Sequence, residues 1–296
     1  MTIRHPIIGV TGSSGAGTST ARVVIVRLIE QMGLRAAIVE GDAFHAYDRI
    51  GNRAAIERAR IRGEHYSLLG PSGNLLERLE RTLRNYGQHG FGETRHYLHT
   101  EHEAARYRQS VGTFTPWEPL PADTDMLFYE GLHGGYVGGD INIAQHMDLL
   151  VGVVPIVNLE WIQKIRRDTD ERGHIAEEVT QTILRRMPDY VNHIAPQFSR
   201  TDVNFQRVPL VDTSNPFVMR EIPTAEESLV VIHLNDHSRI SADLDVYREH
   251  IPESFMSNAQ TLVVPGTQMA AATELILRPA IEHLARRRRE ALGDPA

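Results

Sequence analysis

Cysteine is absent from the 296-residue chain, which excludes disulfides, thiolate zinc sites and thiol redox regulation. Long apolar runs are absent too: no stretch could cross a bilayer, so no membrane partner is expected. The first residues show no signal-peptide pattern, and the expected setting is therefore cytoplasmic. Excess positive charge is missing as well. A net charge of -7 argues against a nucleic-acid partner, although local basic patches remain compatible with it. Repeats, low-complexity segments and linkers do not occur, so one domain is expected over residues 1–292, followed by a frayed tail at 293–296. With 41% hydrophobic and 23% charged residues, the chain has the makings of a soluble protein with a sizeable core.

One further absence is local and more informative. Gly12-Ser13-Ser14-Gly15-Ala16-Gly17-Thr18-Ser19 follows the phosphate-loop pattern G-x-x-x-x-G-K-[ST], but Thr18 stands at the lysine position. An apolar run (Ile7, Ile8, Gly9, Val10) precedes the loop, and a helical stretch, 19–31, follows it. Strand, glycine turn and helix in that order aim backbone N–H groups and the positive helix end at one point. The loop thus predicts phosphate binding through Gly12 to Thr20, with the Ser19 hydroxyl available to a metal. A fixed ammonium group is not provided. Another basic side chain must neutralise the phosphates.

Buried-strand runs at 7–10, 36–39, 126–129, 149–154 and 230–234 alternate with helical stretches at 54–62, 75–86, 161–172 and 177–186. This alternation predicts an α/β fold: a mixed, mostly parallel sheet flanked by helices. Runs at 203–211, 229–233 and 261–264 follow in series and predict an antiparallel edge on the same sheet. A last helix spans 270–292 and ends in Arg286–Arg289, which suits a helix C-terminus.

In open α/β sheets ligands bind beyond the carboxyl ends of the strands. Two acids stand at such ends. Glu130 is placed to position a magnesium ion, and Asp42 to accept a proton from a substrate hydroxyl. Either could instead cap the next turn. His45 and Arg49 would lie one helical turn apart if a helix began there, ready for a second anion. The stretch 94–99, with His96 and His99, could line the same cleft. His96, His99 and His102 carry no zinc signature and read as exposed histidines. Leu159, Ile162 and Ile165 would face the core, leaving Lys164, Arg167, Asp168 and Arg172 as one polar stripe. Such a stripe could close over triphosphate oxygens as a lid. Its bland alternative is a solvated face of ion pairs worth about 0.3–0.5 kcal/mol each.

Taken together, the blocks GSSGAGTST, EGDAFH with Arg49, TRHYLH, FYEGLHGG, VNLEWIQKIRRD with Arg172, FSRTDVNFQRVPLVDTSNPF and VVPG resemble the bacterial-type phosphoribulokinases. The resemblance runs through most of the chain, and a lysine-free loop is normal in that family. It implies the P-loop kinase fold and transfer of the γ-phosphoryl of ATP, with Mg2+, to the C1 hydroxyl of ribulose 5-phosphate. It also implies Asp42 as base, His45, Arg49 and His99 at the substrate, and Glu130 with Ser19 at the metal. Lys164, Arg167, Asp168 and Arg172 match the family's lid. A homo-oligomer, an octamer, is implied as well. Arginines that serve the family's NADH site stand here as Gln31, His233 and Asn258, so weak or absent NADH activation is expected. A uridine kinase-like enzyme would share the loop, Asp42 and the lid but would need a base pocket instead of a phosphate site. A nucleotide switch would need a water-positioning residue and, for guanine, an N-K-x-D signature that the chain does not contain.

Overall fold

The structure, a computed structural model, describes residues 4–13, 17–171, 173, 175–219, 221–240 and 243–293. In chain order, the first half comprises β1 (Ile7–Gly12), α1 (Thr18–Gln31), β2 (Ala36–Glu40), α2 (Arg49–Arg62), α3 (Leu76–His89), β3 (Glu93–Thr94), α4 (Glu101–Tyr107) and β4 (Glu118–Pro119). Next come β5 (Met126–Gly131), β6 (Val137–Gly138), β7 (Ile141–Asn142), β8 (Leu149–Val154), α5 (Val157–Arg166) and α6 (Ala176–Asp189). The chain finishes with β9 (Val203–Pro209), β10 (Ser228–Leu234), α7 (Leu244–Arg248), β11 (Phe255–Asn258), β12 (Thr261–Pro265) and α8 (Met269–Leu292).

Eight strands form one sheet in the order β11-β12-β10-β9-β8-β1-β5-β2. Strands β2, β5, β1, β8 and β9 run parallel, so the 203–211 run, expected in the antiparallel edge, joins the parallel part, and β10 and β12, with β11 outside them, form the antiparallel edge. The central strand β1 is buried on both faces, which is why it reads as an unbroken apolar run. Its side chains still alternate. Ile8 and Val10 join the core under α1 and α8, whereas Ile7 joins the opposite core with Leu127, Leu83 and Tyr86. In α3 the buried Leu76, Leu79, Leu83 and Tyr86 recur at helical spacing and form that second core's stripe.

Two further sequence expectations need correction. The helix expected over 54–62 begins earlier, at Arg49, where the Asp48 carboxylate accepts the Gly51 N–H and caps it, so His45 and Arg49 do not share a helix. His45 instead lies in an extended bridge to Asn74. The helix expected over 161–172 runs from Val157 only to Arg166, and a π-helical turn, Arg167–Glu171, follows. The Thr169 hydroxyl donates to Arg166 O, and Gly173, at φ +68, turns the chain away. The short strand β11 and the small pairs β3–β4 and β6–β7 were not foreseen, being too short to carry a period. Gly293 closes α8 in the left-handed conformation, and the rest of the expected tail, 294–296, lies outside the described residues.

Candidate active site

The phosphate loop leaves β1 at Gly12, where a Cβ would stand 2.7 Å from Val153 O. It enters α1 at Gly17, which caps the helix at φ +100, a conformation that suits only glycine. Gly17 has no side chain with which to cap that helix, which leaves the N–H groups of its first turn available to an anion. Ser13 is buried, and among the described residues its hydroxyl makes no well-formed hydrogen bond, although the Glu160 carboxyl is close enough to feel it. An orphaned polar group here marks a place where a ligand oxygen would be welcome. Thr18, Ser19 and Thr20 form the first turn of α1, with Ser19 exposed. Ser14, Gly15, Ala16 and Arg172 lie outside the described residues.

A cavity of about 790 Å³ opens beside Ser13. Asp42 reaches it from the 3-10 turn Gly41–Phe44 that follows β2. Its two oxygens are held separately: Oδ1 lies 3.1 Å from His45 Nε2, and Oδ2 lies 3.3 Å from His99 Nε2. Burial favours the neutral acid, but these imidazole contacts overcome it and hold the carboxyl far below the ordinary range. Asp42 still keeps 41% of its side chain exposed, so one edge faces the cavity. Arg49 lines the same wall, although it does not share a helical turn with His45. His45, His99 and Arg49 therefore converge, as the sequence suggested, by a different backbone route.

Arg95 shapes this turn. Its guanidinium donates to Ala43 O and His45 O, at 2.7 Å each, while lying over the rings of Phe114 and Trp117. Burial lowers its pKa to about 10, and the group stays charged near neutral pH. His96, in the same stretch, stacks on Tyr107 instead of entering the cleft.

The helix pair α5–α6 forms the far wall. Leu159, Ile162 and Ile165 are buried as expected. Trp161, Ile165, Val179 and Ile183 make a small core of their own between the two helices. Lys164 Nζ lies 2.5 Å from Asp168 Oδ2, and Arg167 Nε lies 3.2 Å from Asp168 Oδ1. All three line the cavity. Burial lowers the Lys164 pKa, against the hydrogen bond and charge of Asp168. This is not the solvated face of the alternative reading, since the lysine and aspartate side chains are only 18% and 8% exposed.

Several residues on the wall were missed. Arg186 on α6 lines the cavity with a buried, unpartnered Nε, and burial lowers its pKa. Glu160 has an unpartnered Oε2, and burial pushes its carboxyl up to about 7, with Ser13, Lys164 and Arg167 acting the other way. Both stand on helices whose sequence shows amphipathicity, but which wall they join depends on packing. Arg22 was legible in principle, standing three residues after Ser19 on α1. It bridges Glu40 at 2.8 Å and Glu130 at 3.2 Å, two carboxylates that face each other across β2 and β5. Glu130 is thus partly buried at the end of β5, with the Arg22 guanidinium as its neighbour. Gln31, His233 and Asn258 stand elsewhere, none of them lining the cavity.

His133, just past β5, is fully buried and contacts Leu69 O through Nε2 at 3.1 Å. Burial lowers its pKa to about 4. Above about pH 6.5 both folded and unfolded chains hold it neutral, so it contributes nothing to the pH dependence. Between that pH and 4 only the unfolded chain takes up the proton, and folding stability falls by about 1.4 kcal/mol per pH unit. Urea titrations should show a loss of roughly 3 kcal/mol over this window, and His133→Gln should flatten it. An unchanged slope in the variant would place the acid sensitivity elsewhere.

The chain is similar to known proteins over nearly its whole length. The model of the phosphoribulokinase / uridine kinase family matches residues 7–214. A probable phosphoribulokinase of Escherichia coli (strain K12) is 54% identical over 284 residues, covering 96% of this chain and 98% of that protein. The chromosomal phosphoribulokinase of Cupriavidus necator is 52% identical over 292 residues, covering 98% and 99%. The solved phosphoribulokinase from Rhodobacter spheroides is 46% identical, covers 97% of this chain and 99% of that one, and superposes with a TM-score of 0.88. With the glycine loop, the Asp42 turn and helices α5 and α6 all inside the matched span, the chain belongs to the phosphoribulokinase / uridine kinase family.

Proposed function

We propose that this chain transfers the γ-phosphoryl of ATP to the C1 hydroxyl of D-ribulose 5-phosphate, giving D-ribulose 1,5-bisphosphate and ADP. One observation carries the reading: an ionised Asp42, held by two imidazoles, faces a cavity that reaches both the phosphate loop and a cationic lid. The full-length relatives named phosphoribulokinase support it. Phosphoryl transfer needs an in-line hydroxyl, a group to take its proton, and charge on the phosphoryl oxygens. Asp42 orients the C1 hydroxyl and accepts its proton as the bond to phosphorus forms. His45 and Arg49 receive the sugar phosphate, with His99 holding the second Asp42 oxygen. Lys164 and Arg167 stabilise charge on the transferred group and the departing ADP oxygen, with Asp168 orienting them.

The loop residues fit a nucleotide: Gly12 lets the chain leave β1 tight against β8, Gly17 takes the positive φ that starts α1, and the buried Ser13 hydroxyl would gain a partner in a phosphate oxygen. A bound Mg2+ would supply positive charge to the phosphates. Ser19 and Glu130 would hold it. Closure of α5–α6 over the cavity would exclude water and strengthen these contacts. A homo-oligomer in the cytoplasm, octameric as the resemblance implies, completes the proposal.

A coupled assay for ADP release tests the reaction. Turnover is expected with ribulose 5-phosphate and not with uridine or without an acceptor. Turnover with uridine alone would establish the nucleoside-kinase alternative, and acceptor-independent release would make the protein an ATPase.

A further inference from the structure

We infer that Asn74 is a positioning residue that fixes His45 as an imidazolium and so makes it the cation facing Asp42. The part that concerns the sugar phosphate rests on the proposed function; the protonation state does not. Asn74 follows the 3-10 turn Pro71–Gly73 and pairs with His45 through an isolated bridge. Its Nδ2 lies 2.9 Å from Leu68 O and 2.8 Å from Gly70 O. Two carbonyl oxygens on one side can be met only by the NH₂ group, so the amide has one permitted orientation. Its Oδ1 therefore faces His45 Nδ1 at 2.9 Å. An amide oxygen accepts and never donates, which requires a proton on Nδ1. On the opposite side of the ring, Nε2 stands 3.1 Å from the Asp42 carboxylate, another acceptor. A neutral imidazole has one N–H, and these two contacts use two.

The loop carrying the two carbonyls is itself pinned. Ser67 Oγ donates to the buried Asp189 carboxylate at 2.6 Å, and His65 Nε2 lies 2.8 Å from it. Asp189 ends α6, so hydrogen bonds run from the end of the lid through 67–70 and Asn74 to His45 and Asp42. The other groups around His45 do not supply a second acceptor. Arg186 on α6 opposes a positive charge there, whereas His133 beyond β5, its pKa lowered to about 4, is neutral near pH 7; Tyr97 lies at 6.2 Å between ring centroids, and Arg95 holds only the backbone carbonyl. His99 reaches the other Asp42 oxygen. Burial works against the cation, but Asp42 and Asn74 together outweigh it and raise the His45 pKa.

Imidazole 15N–1H spectra of the full-length protein, assigned with His45→Gln, test this. Wild-type His45 should show protons on both nitrogens at pH 7 and titrate above the usual imidazole range. Asn74→Leu removes the acceptor and should lower the midpoint by about one pH unit. Asn74→Asp replaces it with a charged acceptor and should raise the midpoint. The Leu variant should also weaken ribulose 5-phosphate binding about tenfold at pH 8 and less at pH 6. A neutral His45 in the wild type at pH 7, or a midpoint that Asn74→Leu leaves in place, overturns the inference. Should the Leu variant not fold, a midpoint that fails to rise in Asn74→Asp overturns it equally. If the spectra behave as expected while the acceptor assay fails, the reaction assignment falls and the protonation assignment stands.

Discussion

Asp42→Asn should lower kcat by about 10³–10⁴-fold, the upper range for removing a positioned general base, while the KM for ATP changes little. The substitution keeps size and shape, so the turn Gly41–Phe44, held by Arg95 at Ala43 O and His45 O, should survive. What changes is charge and proton capacity. Asparagine offers one acceptor oxygen where the carboxylate offered two, so it cannot receive both His45 and His99. Its NH₂ must face one of those imidazoles or the substrate hydroxyl, and neither arrangement takes up a proton. His45 also loses its counter-charge and should titrate lower, which predicts weaker binding of the sugar phosphate as pH rises. Single-turnover phosphorylation with saturating ATP separates the chemical step from binding. Turnover within about tenfold of wild type would remove Asp42 from the base role.

The fold was readable because its signals are periodic. Strands β1, β5 and β8 each carry an apolar run through the sheet, and α3 repeats Leu and Tyr at helical spacing; burial on two faces or on one leaves those two imprints. The candidate site was legible where its residues sit on the backbone path itself, as with Gly12, Gly17, Asp42 in the turn after β2 and Glu130 near the end of β5. It was unreadable where a side chain works by reaching across the fold. Asn74 stands 29 residues from His45, and Arg95 acts 52 residues from Ala43. Their neighbours in sequence give no sign of either contact. Similarly, the four-residue spacing of Lys164 and Asp168 survives as an ion pair, but the π-turn after Arg166 breaks the straight helix on which the stripe was drawn. Local spacing named the partners, and a hydroxyl-to-carbonyl bond at Thr169 changed where the chain goes next.

Lys164→Met should lower kcat by about 10²–10³-fold, the range for losing one donor to developing charge. The contrary view is that Lys164 merely neutralises Asp168, whose carboxylate it meets at 2.5 Å in a poorly exposed place. Loss of the lysine would then hurt by leaving a buried charge under-compensated, at about 3–5 kcal/mol of local stability. The two views separate in a double variant. Adding Asp168→Asn to Lys164→Met removes the charge left behind, so α5–α6 should regain protection against proteolysis and hydrogen exchange. If Lys164 acts only through Asp168, turnover should recover alongside that protection. If Lys164 supplies charge to the phosphoryl group in a phosphate loop that carries Thr18 in place of lysine, turnover should stay low while the lid regains its stability. Lys164→Arg sharpens the distinction. A guanidinium keeps the pairing with Asp168 but spreads its charge over a planar fork, so stability should be close to wild type and kcat should still be depressed.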